Sequence, residues 1–480
     1  MRSSLRSLGA CARSARGCVP LASLAGAYRS LRSLGAYARF ARACVLLASL
    51  VVLMVPAAAG ADDWPAWRGP RGTGVSSEAK LPERWGPGEN IAWEAPLRGA
   101  GVSSPVVIGD LVFVTSQEGT GVRRQGNHPS LVQGAGSAAS GERTLTGARD
   151  ADTTRFVVAA FDRATGRPRW EHVFEAEGDL PPVHDKHNLA SPSPVADAER
   201  VYAWFGTGQI VALDRSGKVV WQRNLAKEYG AFEINWGHSS SPALHDGSLF
   251  LLCYHSPASY LLSLDARTGR TKWKADRGRD VISYSTPIVV EGPRGPELIV
   301  NTSEGIEAHN PGTGERLWQF AESNRFPIPV PSPHQGMLYL TRGYRSGPYM
   351  AIRTGGRGDV SKTHVAWHVP TGAPYVPSAV HYEGLMYMAG ENGIVSAVDV
   401  ETGERVWQER IGGIFTASAV AGDGKIYLVS ETGETVVLKA GRTAAVLSRN
   451  RIAGHFVASP AIAGGRLFLR ADDRLVAVGR

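Results

Sequence analysis

Short apolar segments rich in β-branched and aromatic residues recur along most of the chain, and each is bounded by glycine, proline or aspartate. Segments of this kind predict β-strands, because the turn residues interrupt them before a helix can form. Between residues 90 and 480 there is no convincing long helical period. The pattern therefore predicts an all-β fold. Clear strands begin at Leu111, Arg200, Leu249, Glu297, Met337, Leu385, Lys425 and Arg466.

A turn motif repeats together with these strands: a Ser-Gly or Thr-Gly pair that is followed, after three further residues, by Trp. It returns at intervals of about 40 to 52 residues, and most copies follow a strand that ends in Asp. The Asp side chain accepts hydrogen bonds from turn amides, and Gly supplies the positive φ of a tight hairpin. One supersecondary unit is therefore repeated. The five copies are Thr165-Gly166…Trp170, Ser216-Gly217…Trp221, Thr268-Gly269…Trp273, Thr313-Gly314…Trp318 and Thr402-Gly403…Trp407.

The two ends of the repeat array predict how it closes. The last unit, from Ser459, contains three strands, and its missing Trp strand lies far upstream at 91–97. Pairing of this first strand with the last three would remove the open sheet edges. Seven complete units and one shared unit predict a closed eight-bladed β-propeller of four-stranded antiparallel blades. The units open at Ser104-Pro105, Ser193-Pro194, Ser241-Pro242, Thr286-Pro287, Val330-Pro331, Ser378-Ala379, Ser418-Ala419 and Ser459-Pro460.

A tryptophan recurs on the outermost strand of the units. A large apolar side chain at this repeated position is best explained as a wedge between neighbouring sheets, and not as a platform for a cofactor. We therefore interpret these tryptophans as structural. They are Trp93, Trp170, Trp221, Trp273, Trp318, Trp367 and Trp407.

Two regions depart from the repeat. The unit near Val330 lacks the Thr-Gly turn and carries the insertion TGGRGDVSKTH before Trp367. We interpret its Arg357-Gly358-Asp359 triplet as a solvated loop tip and not as an adhesion motif. Residues 62–89 are a Pro/Gly/Trp-rich lead-in, which we expect to pack irregularly against the outside of the propeller. The predicted domains are a leader (1–61), this lead-in (62–89) and the propeller (90–480).

The formal net charge of +8 belongs to the leader, since residues 1–61 hold eight arginines and no lysine, aspartate or glutamate. The neutral remainder removes the main argument for binding nucleic acid. The arginine-rich stretch precedes an uncharged segment (43–61), the order typical of a secretory signal peptide, with cleavage after Ala61. An uncleaved membrane anchor is the alternative, and it would be the chain's contact with a membrane. We expect an exported bacterial protein of the periplasm or cell envelope.

The Ser-Pro opening, the A-x-D-x-x-T-G-x-x-x-W turn and the N-terminal closing strand resemble the pyrroloquinoline-quinone-type (PQQ-like) propeller repeat. The resemblance covers residues 90–480. This repeat occurs in quinoprotein alcohol dehydrogenases and in the non-catalytic outer-membrane assembly lipoprotein BamB, so it implies the fold and leaves the activity open. We expect the non-catalytic, BamB-like branch.

The sequence favours a binding protein over an enzyme. Quinoprotein enzymes typically carry a disulfide between adjacent cysteines against the quinone, whereas Cys253 is the only cysteine after the leader. There is no Gly-x-Ser-x-Gly nucleophile turn and no phosphate-binding loop. The His184–Asn188 segment contains two imidazoles three residues apart, for which a polar turn is a simpler interpretation than zinc. We assign no catalytic residue, metal or cofactor, and PQQ with calcium is the alternative.

Loops that lead into the innermost strands of a propeller gather around one mouth of its channel, where ligands bind. Counting back three residues from each opening dipeptide, and including adjacent residues, collects side chains that suit stacking on a sugar, a quinone or a peptide. The same count reaches Phe415 and Phe456, which we interpret as filling the channel. The candidate ligand contacts are His187, Asn188, Trp236, His238, Tyr284 and Tyr375.

These observations predict an exported, non-catalytic, monomeric propeller. It would bind a protein or a cell-envelope polymer at the channel mouth or along exposed strand edges. Two alternatives stay open: a quinoprotein-like oxidoreductase, and a carbohydrate-binding or carbohydrate-processing propeller that uses the aromatic rim.

Overall fold

The computed structural model of the chain describes residues 63–124, 145–146, 153–344 and 346–479. The predicted leader, residues 1–61, lies outside these residues. The regular secondary structure of the described part of the chain is almost entirely β-strand, as predicted. Its short helix α1 (Leu225–Tyr229) begins after Asn224, whose side chain accepts the Lys227 amide at 3.1 Å. No helix in the described ranges is long and apolar enough to cross a membrane.

Eight four-stranded antiparallel arrays, one for each repeat unit, form the blades of a β-propeller and confirm the predicted fold. In blades 1 to 7 the chain runs from the innermost strand outward. Blade 1 contains β2 (Val106–Ile108), β3 (Leu111–Glu118), β6 (Arg155–Asp162) and β7 (Pro168–Glu175). Blade 2 contains β9 (Val195–Ala196), β10 (Arg200–Trp204), β11 (Gln209–Asp214) and β12 (Val219–Asn224). Blade 3 contains β13 (Ala243–His245), β14 (Ser248–Cys253), β15 (Tyr260–Asp265) and β16 (Thr271–Asp276).

The next three blades follow the same order. Blade 4 contains β17 (Ile288–Gly292), β18 (Gly295–Thr302), β19 (Gly305–His309) and β20 (Arg316–Ala321). Blade 5 contains β21 (Ser332–His334), β22 (Met337–Thr341), β23 (Tyr349–Arg353) and β25 (Val365–Val369). Blade 6 contains β26 (Val380–Tyr382), β27 (Leu385–Ala389), β28 (Ile394–Asp399) and β29 (Arg405–Arg410).

The last two blades complete the ring. Blade 7 contains β30 (Val420–Gly422), β31 (Lys425–Val429), β32 (Glu434–Lys439) and β33 (Val446–Arg451). Blade 8 contains β34 (Ala461–Ala463), β35 (Arg466–Arg470), β36 (Arg474–Val478) and β1 (Ile91–Pro96). A separate small sheet contains β4 (Arg123–Arg124), β5 (Leu145–Thr146) and β8 (Val183–His184).

The first strand of the propeller closes the ring. β1 pairs antiparallel with β36, with Trp93 opposite Ala477 and Pro96 opposite Arg474. The predicted closure by the N-terminal strand is therefore confirmed. It leaves no blade with an unpaired third strand, which would otherwise be an exposed apolar edge.

The hydrophobic core is divided among the spaces between neighbouring blades. The two middle strands of each blade are buried on both faces, as in β27, where all five residues are buried. The outermost strands alternate between covered and exposed residues, as in β33. Because each blade presents both faces to a neighbour, its central strands consist of continuous apolar runs.

The Thr-Gly turn and the Trp strand meet between blades. In blade 1, Asp162 Oδ1 accepts the Thr165 amide at 2.9 Å, and Gly166 has a φ of 71°. A Cβ on Gly166 would lie 2.5 Å from the ring of Trp93 in blade 8, and Trp93 Nε1 donates to the Arg163 carbonyl at 3.0 Å. The glycine thus lets the turn of one blade lie flat on the tryptophan of the preceding blade. The same contact joins Gly217 to Trp170, Gly269 to Trp221, Gly314 to Trp273 and Gly403 to Trp367.

The residue that opens each unit links the blades near the channel. The Ser104 amide donates to Ser193 Oγ at 2.9 Å, and the Ser193 amide donates to Ser241 Oγ at 2.9 Å. A hydroxyl therefore recurs at this position because the preceding blade bonds to it. The same bond joins Ser241 to Thr286, Val330 to Ser378, Ser378 to Ser418, and Ser418 to Ser459.

Buried arginines link the blades at the two other junctions. Between blades 4 and 5, Arg342 donates to the Thr302 carbonyl at 3.1 Å and to Asn301 Oδ1. Between blades 8 and 1, Arg470 donates to the Ser103 carbonyl at 3.1 Å and to Ser116 Oγ at 3.0 Å. Val330, which opens blade 5, has no hydroxyl to offer, so the guanidinium of Arg342 joins blade 5 to blade 4 instead.

In the insertion of blade 5 the Arg357-Gly358-Asp359 tip is exposed, as predicted, whereas the flanking Thr354 and Val360 are buried. The strand β24 (Gly358–Asp359) of the insertion pairs in parallel with β20, the outermost strand of blade 4. The buried carboxylate of Glu297 accepts Trp318 Nε1 at 2.9 Å and the Gly355 amide at 3.0 Å, and so takes the place of the usual tryptophan–glycine contact. The apolar edge of β20 is covered as a result.

The first part of the lead-in, residues 64–76, is placed differently from the expectation, because it lies inside the channel. Its later part packs against blade 7 as expected, with the Trp85 amide donating to Asn450 Oδ1 of β33 at 3.0 Å. Trp64 exchanges two backbone hydrogen bonds with Val107 of β2, at 2.8 and 2.9 Å. Further along, Ala421 of β30 donates to the Gly74 carbonyl and accepts the Ser76 amide, both at 2.8 Å. These bonds occupy the free edges of innermost strands, which face the channel.

Arg68 anchors the lead-in there. It is 1% exposed and donates to the Ala379 carbonyl at 2.7 Å and to the Ser378 carbonyl at 3.3 Å, at the start of the innermost strand of blade 6. Trp64 is also 1% exposed. Residues 64–76 therefore fill the channel from the end where each innermost strand turns into the second strand, which we call the lower end, up to the opening dipeptide of blade 6. Apolar side chains and a carbonyl-saturated guanidinium account for this burial.

Candidate ligand-binding site at the channel mouth

The mouth is the opposite end of the channel, where the chain enters each innermost strand. Two sets of connections reach it: those from the outermost strand of one blade to the innermost strand of the next, and those between the second and third strands of a blade. Since the lower end is filled by residues 64–76, side chains available to a ligand of the channel belong to these connections.

His187 holds the connection between blades 1 and 2 in place. Its Nε2 lies 2.7 Å from the Trp236 carbonyl, and its Nδ1 lies 2.9 Å from Ser191 Oγ. Burial lowers the pKa of the imidazole. Asn188, which is 4% exposed, donates through Nδ2 to the Ala100 carbonyl at 2.8 Å. Both side chains are thus engaged by their own protein, and their position supports the loop that they belong to.

Trp236 is half-buried at the mouth. Its ring centroid lies 5.2 Å from that of His184, and the Arg124 guanidinium lies 6.0 Å from the indole centroid. The Trp236 carbonyl also accepts the His184 amide at 3.0 Å. The exposed part of the indole can therefore contact a ligand while its backbone fixes the neighbouring loop.

His238 lies below the mouth, in contrast to the sequence-based expectation. It is 1% exposed, its ring centroid lies 4.3 Å from that of Trp204, and Nε2 lies 3.2 Å from the Leu252 carbonyl. Burial, with a smaller effect of His255, lowers its pKa to about 3. The connection between blades 2 and 3 contains α1 and folds back on the blade, so an equal count from the opening dipeptide does not give an equal position. We no longer propose His238 as a ligand contact.

Tyr284 and Tyr375 belong to a larger set of rings that we call the aromatic arc, formed by Tyr284, Phe326, Tyr344 and Tyr375. Successive ring centroids lie 6.3, 4.9 and 5.3 Å apart. Burial raises the pKa of both Tyr284 and Tyr375. The rings come from connections of blades 3 to 6, and three of them are half-buried. They form a continuous apolar surface on which a chain or a ring can stack.

Three carboxylates, which we call the acidic arc, continue the mouth around blades 6 to 8. Glu391, Glu431 and Asp472 each lie two residues after the end of the second strand of their blade. Glu391 accepts the amides of Tyr375 and Val376, so the acidic arc begins where the aromatic arc ends. Sequence reasoning missed these residues, although the parallel strings Glu391-Asn-Gly and Glu431-Thr-Gly were a signal.

Lys186 spans the mouth to reach the acidic arc. Its Nζ lies 2.7 Å from Glu431 Oε1, although Lys186 belongs to the connection between blades 1 and 2 and Glu431 to blade 7. Thr416 Oγ1 donates to the same carboxylate. Burial raises the pKa of Glu431, but His455, Lys186 and Thr416 outweigh burial and lower it to about 2. Glu431 is therefore an anion at any pH near neutrality.

His455 lies between two members of the acidic arc. Its Nδ1 lies 3.0 Å from Asp472 Oδ2, and its Nε2 lies 3.9 Å from Glu431 Oε2. These carboxylates, Asp472 first, raise the pKa of the imidazole to about 9. The imidazolium is thus retained at neutral pH as a second positive charge on this side of the mouth.

The residues present do not fit a quinone site with calcium. In the described ranges, no three His, Cys, Asp or Glu side chains are arranged to hold a metal ion. Cys253 is a free, fully buried thiol whose pKa is raised by burial. In the His184–Asn188 segment, His184 Nδ1 lies 2.9 Å from Asp185 Oδ1 and accepts the Lys186 amide, the arrangement of a polar turn.

A groove of about 660 Å³ adjoins the mouth on blades 2 and 3. It is lined by parts of 177–182 and 224–235. In its wall, Glu177 lies 2.6 Å from Lys227 Nζ and accepts Asn224 Nδ2 at 2.7 Å.

Comparison with known proteins agrees with this architecture. The family described as outer membrane protein assembly factor BamB matches residues 87–278, 154–327 and 391–478. The chain belongs to this family of PQQ-like repeat proteins.

Curated relatives are distant. The chain is 23% identical to outer membrane protein assembly factor BamB of Yersinia pestis over 299 residues, which cover 55% of this chain and 70% of that protein. It is 23% identical to the Moranella endobia (strain PCIT) protein of the same name over 269 residues, covering 52% of this chain and 64% of that protein. At this identity, what these relatives do supports only a proposal about the function of this chain.

Among solved structures, a quinohemoprotein alcohol dehydrogenase from Comamonas testosteroni is similar in fold. The TM-score is 0.59 at 14% identity, and the match covers 87% of this chain and 81% of that chain. At this identity the likeness concerns the propeller alone.

Proposed function

We propose that this chain is an exported, non-catalytic propeller of the cell envelope, which binds an extended segment of a protein partner at the channel mouth and acts in the assembly of outer membrane proteins. The aromatic arc is the observation that carries the proposal. Four adjoining rings on loops fixed to a rigid ring of blades resemble the aromatic anchors of protein interfaces, because they bury large area at a small cost in side-chain entropy.

Three further features support a protein ligand. The family and the curated relatives are named as outer membrane protein assembly factors. The filled lower end limits a channel ligand to the mouth, where connections of several blades meet. Trp236, Tyr284 and Tyr375 are proposed contacts, whereas His187 and Asn188 position the loop beneath them.

The proposed domain organisation follows the sequence prediction, with a cleaved leader at 1–61, a lead-in at 62–89 and the propeller at 90–480. Export by this leader would place the propeller in the periplasm. Cleavage can be checked by the mass of the protein purified from a bacterial envelope fraction. A mass that includes residues 1–61 would favour the membrane anchor instead.

Affinity capture from envelope extract tests the proposed binding surface. The double variant Phe326→Ala/Tyr344→Ala should lose at least tenfold of the captured outer-membrane assembly proteins, because it removes the centre of the aromatic arc. The control is Val220→Ser/Val446→Ser, which changes two exposed valines on outermost strands. Loss of capture in the control with retention in the arc variant would contradict the proposal and favour strand-edge binding.

The two alternatives predict different results with the same purified proteins. A saturable absorbance change with PQQ and calcium, together with dye reduction by an alcohol, would indicate an oxidoreductase. Glycan binding that is lost in Trp236→Ala would indicate a carbohydrate-binding propeller. We expect neither result.

A further inference from the structure

At the mouth, two positively charged side chains of the protein itself contact the acidic arc and the aromatic arc. Lys186 Nζ is bound to Glu431 at 2.7 Å, and the Arg325 guanidinium lies 5.2 Å from the centroid of the Phe326 ring. Both contacts are those by which a protein recognises a lysine or arginine side chain: a carboxylate for the charge and an aromatic face for the cation.

Glu391 adds an independent indication. It is 7% exposed and buried beside Tyr375, and it accepts the backbone amides of Tyr375 and Val376. Burial raises its pKa, and the positive charge of Lys186 opposes that effect. Glu391 is thus a carboxylate, more than nine-tenths buried, whose charge is opposed by that of Lys186. A second cation at this point would relieve its desolvation.

The path of Lys186 shows that it is an occupant of the acidic arc and not part of its frame. The carboxylates follow the ends of β27, β31 and β35 in blades 6 to 8. Lys186 instead belongs to the connection between blades 1 and 2 and reaches Glu431 of blade 7 across the mouth. Its side chain is 23% exposed, so solvent and a partner can reach it. The frame would keep its shape if another ammonium or guanidinium group took the place of Lys186.

We propose that the mouth recognises a basic segment of its protein partner, in which a lysine or arginine side chain displaces Lys186 from Glu431, next to Glu391, while neighbouring residues lie on the aromatic arc. This inference rests on the proposed function and names the chemistry of the partner. Lys186 then acts as an internal competitor, which keeps the carboxylates paired until a partner binds.

Fluorescence anisotropy with a fluorescein-labelled hexalysine peptide tests the displacement. Lys186→Met should bind the probe about fivefold more tightly than the wild type, because the competitor is gone. Adding Glu431→Gln to Lys186→Met should remove that gain. Affinity should fall as salt is raised from about 50 to 500 mM, since the contacts are ionic. A hexaglutamate probe should not bind.

Two matched variants separate displacement from loss of structure. Lys186→Arg keeps a cation on Glu431 and should bind the probe like the wild type. Glu401→Gln removes an exposed carboxylate at the other end of blade 6 and should leave affinity within twofold. Probe binding to Lys186→Met that is no tighter than to the wild type would overturn the inference. A loss of probe affinity in Glu401→Gln as large as that caused by Glu431→Gln would also overturn it.

The capture experiment distinguishes this inference from the function on which it rests. Capture that depends on Phe326 and Tyr344 but is the same in the wild type, Lys186→Met and Glu431→Gln would leave the proposed function standing and overturn the basic-segment inference. Capture lost in none of these variants would overturn both.

Discussion

The two ends of the channel differ in the burial and the contacts of their side chains. The lower end is filled by the lead-in, whose Trp64 and Arg68 are each 1% exposed and bound to innermost strands. The mouth is surrounded by half-buried rings and by carboxylates paired through side chains. The lower end is therefore part of the folding core, and the mouth is a surface. The difference indicates that stability and recognition are separated along the axis of the propeller.

The largest effect is expected from the lower end. Trp64→Ala should lower the free energy of unfolding by about 3–5 kcal/mol, since a fully buried indole is replaced by a cavity. Urea denaturation measures this. Tyr344→Ala at the mouth should cost about 1 kcal/mol or less, because its ring is already half-exposed. Equal losses of unfolding free energy in Trp64→Ala and Tyr344→Ala would show that the two ends of the channel contribute alike to stability.

Glycines provide a matched pair on the two sides of the blades. Gly166 (φ 71°) lies on the side of the lower end, against Trp93, whereas Gly278 (φ 66°) follows the outermost strand of blade 3 on the mouth side and has no neighbour within 4 Å. Gly278→Ala should cost about 1 kcal/mol from the backbone conformation alone. Gly166→Ala should cost about 2 kcal/mol more, because its Cβ would meet the indole. Thermal and urea denaturation of both variants decide the comparison.

Those two glycines also illustrate how far the sequence determines the fold. The turn, the tryptophan and the closing strand could be predicted because each repeats at fixed spacing, and the eight blades followed from them. The repeat predicted that Trp93 lies between neighbouring blades, but it did not reveal that Gly166 of the next blade is its partner. The spacing within one unit does not specify which residue of another unit is contacted.

The placement of the lead-in and of the mouth could not be predicted in the same way. The lead-in is irregular, and Pro/Gly-rich sequence looks the same whether it lies outside a propeller or within its channel. Lys186 and Glu431 are 245 positions apart and share no repeat position. His238 was misplaced because the connection that carries it has its own helix. Glu391 and Glu431 could have been found by aligning the units residue by residue.

The smallest expected effect is a pH dependence of the unfolding free energy, which arises from His455 at the mouth. The pKa of His455 is raised to about 9, above its ordinary value near 6.5, so its contribution to stability is complete below about pH 6.5 and is lost as pH rises through 9. Because the ring is nearly half-exposed, the contribution is on the order of 1 kcal/mol.

His455→Asn should therefore flatten the decline in unfolding free energy between pH 6.5 and 9.5, as followed by urea denaturation. His245→Asn, at the lower end of blade 3, is the control and should keep the slope of the wild type. An unchanged slope in His455→Asn would show that the acidic arc does not hold the imidazolium.

Photo-cross-linking in the bacterial envelope tests the central claim most directly. A photoreactive phenylalanine analogue is placed at Tyr344 in the aromatic arc or at Arg71, an exposed residue of the lead-in at the lower end. We expect cross-links to an outer-membrane assembly protein from position 344 and none from position 71. Cross-links from position 71 with none from position 344 would contradict that claim.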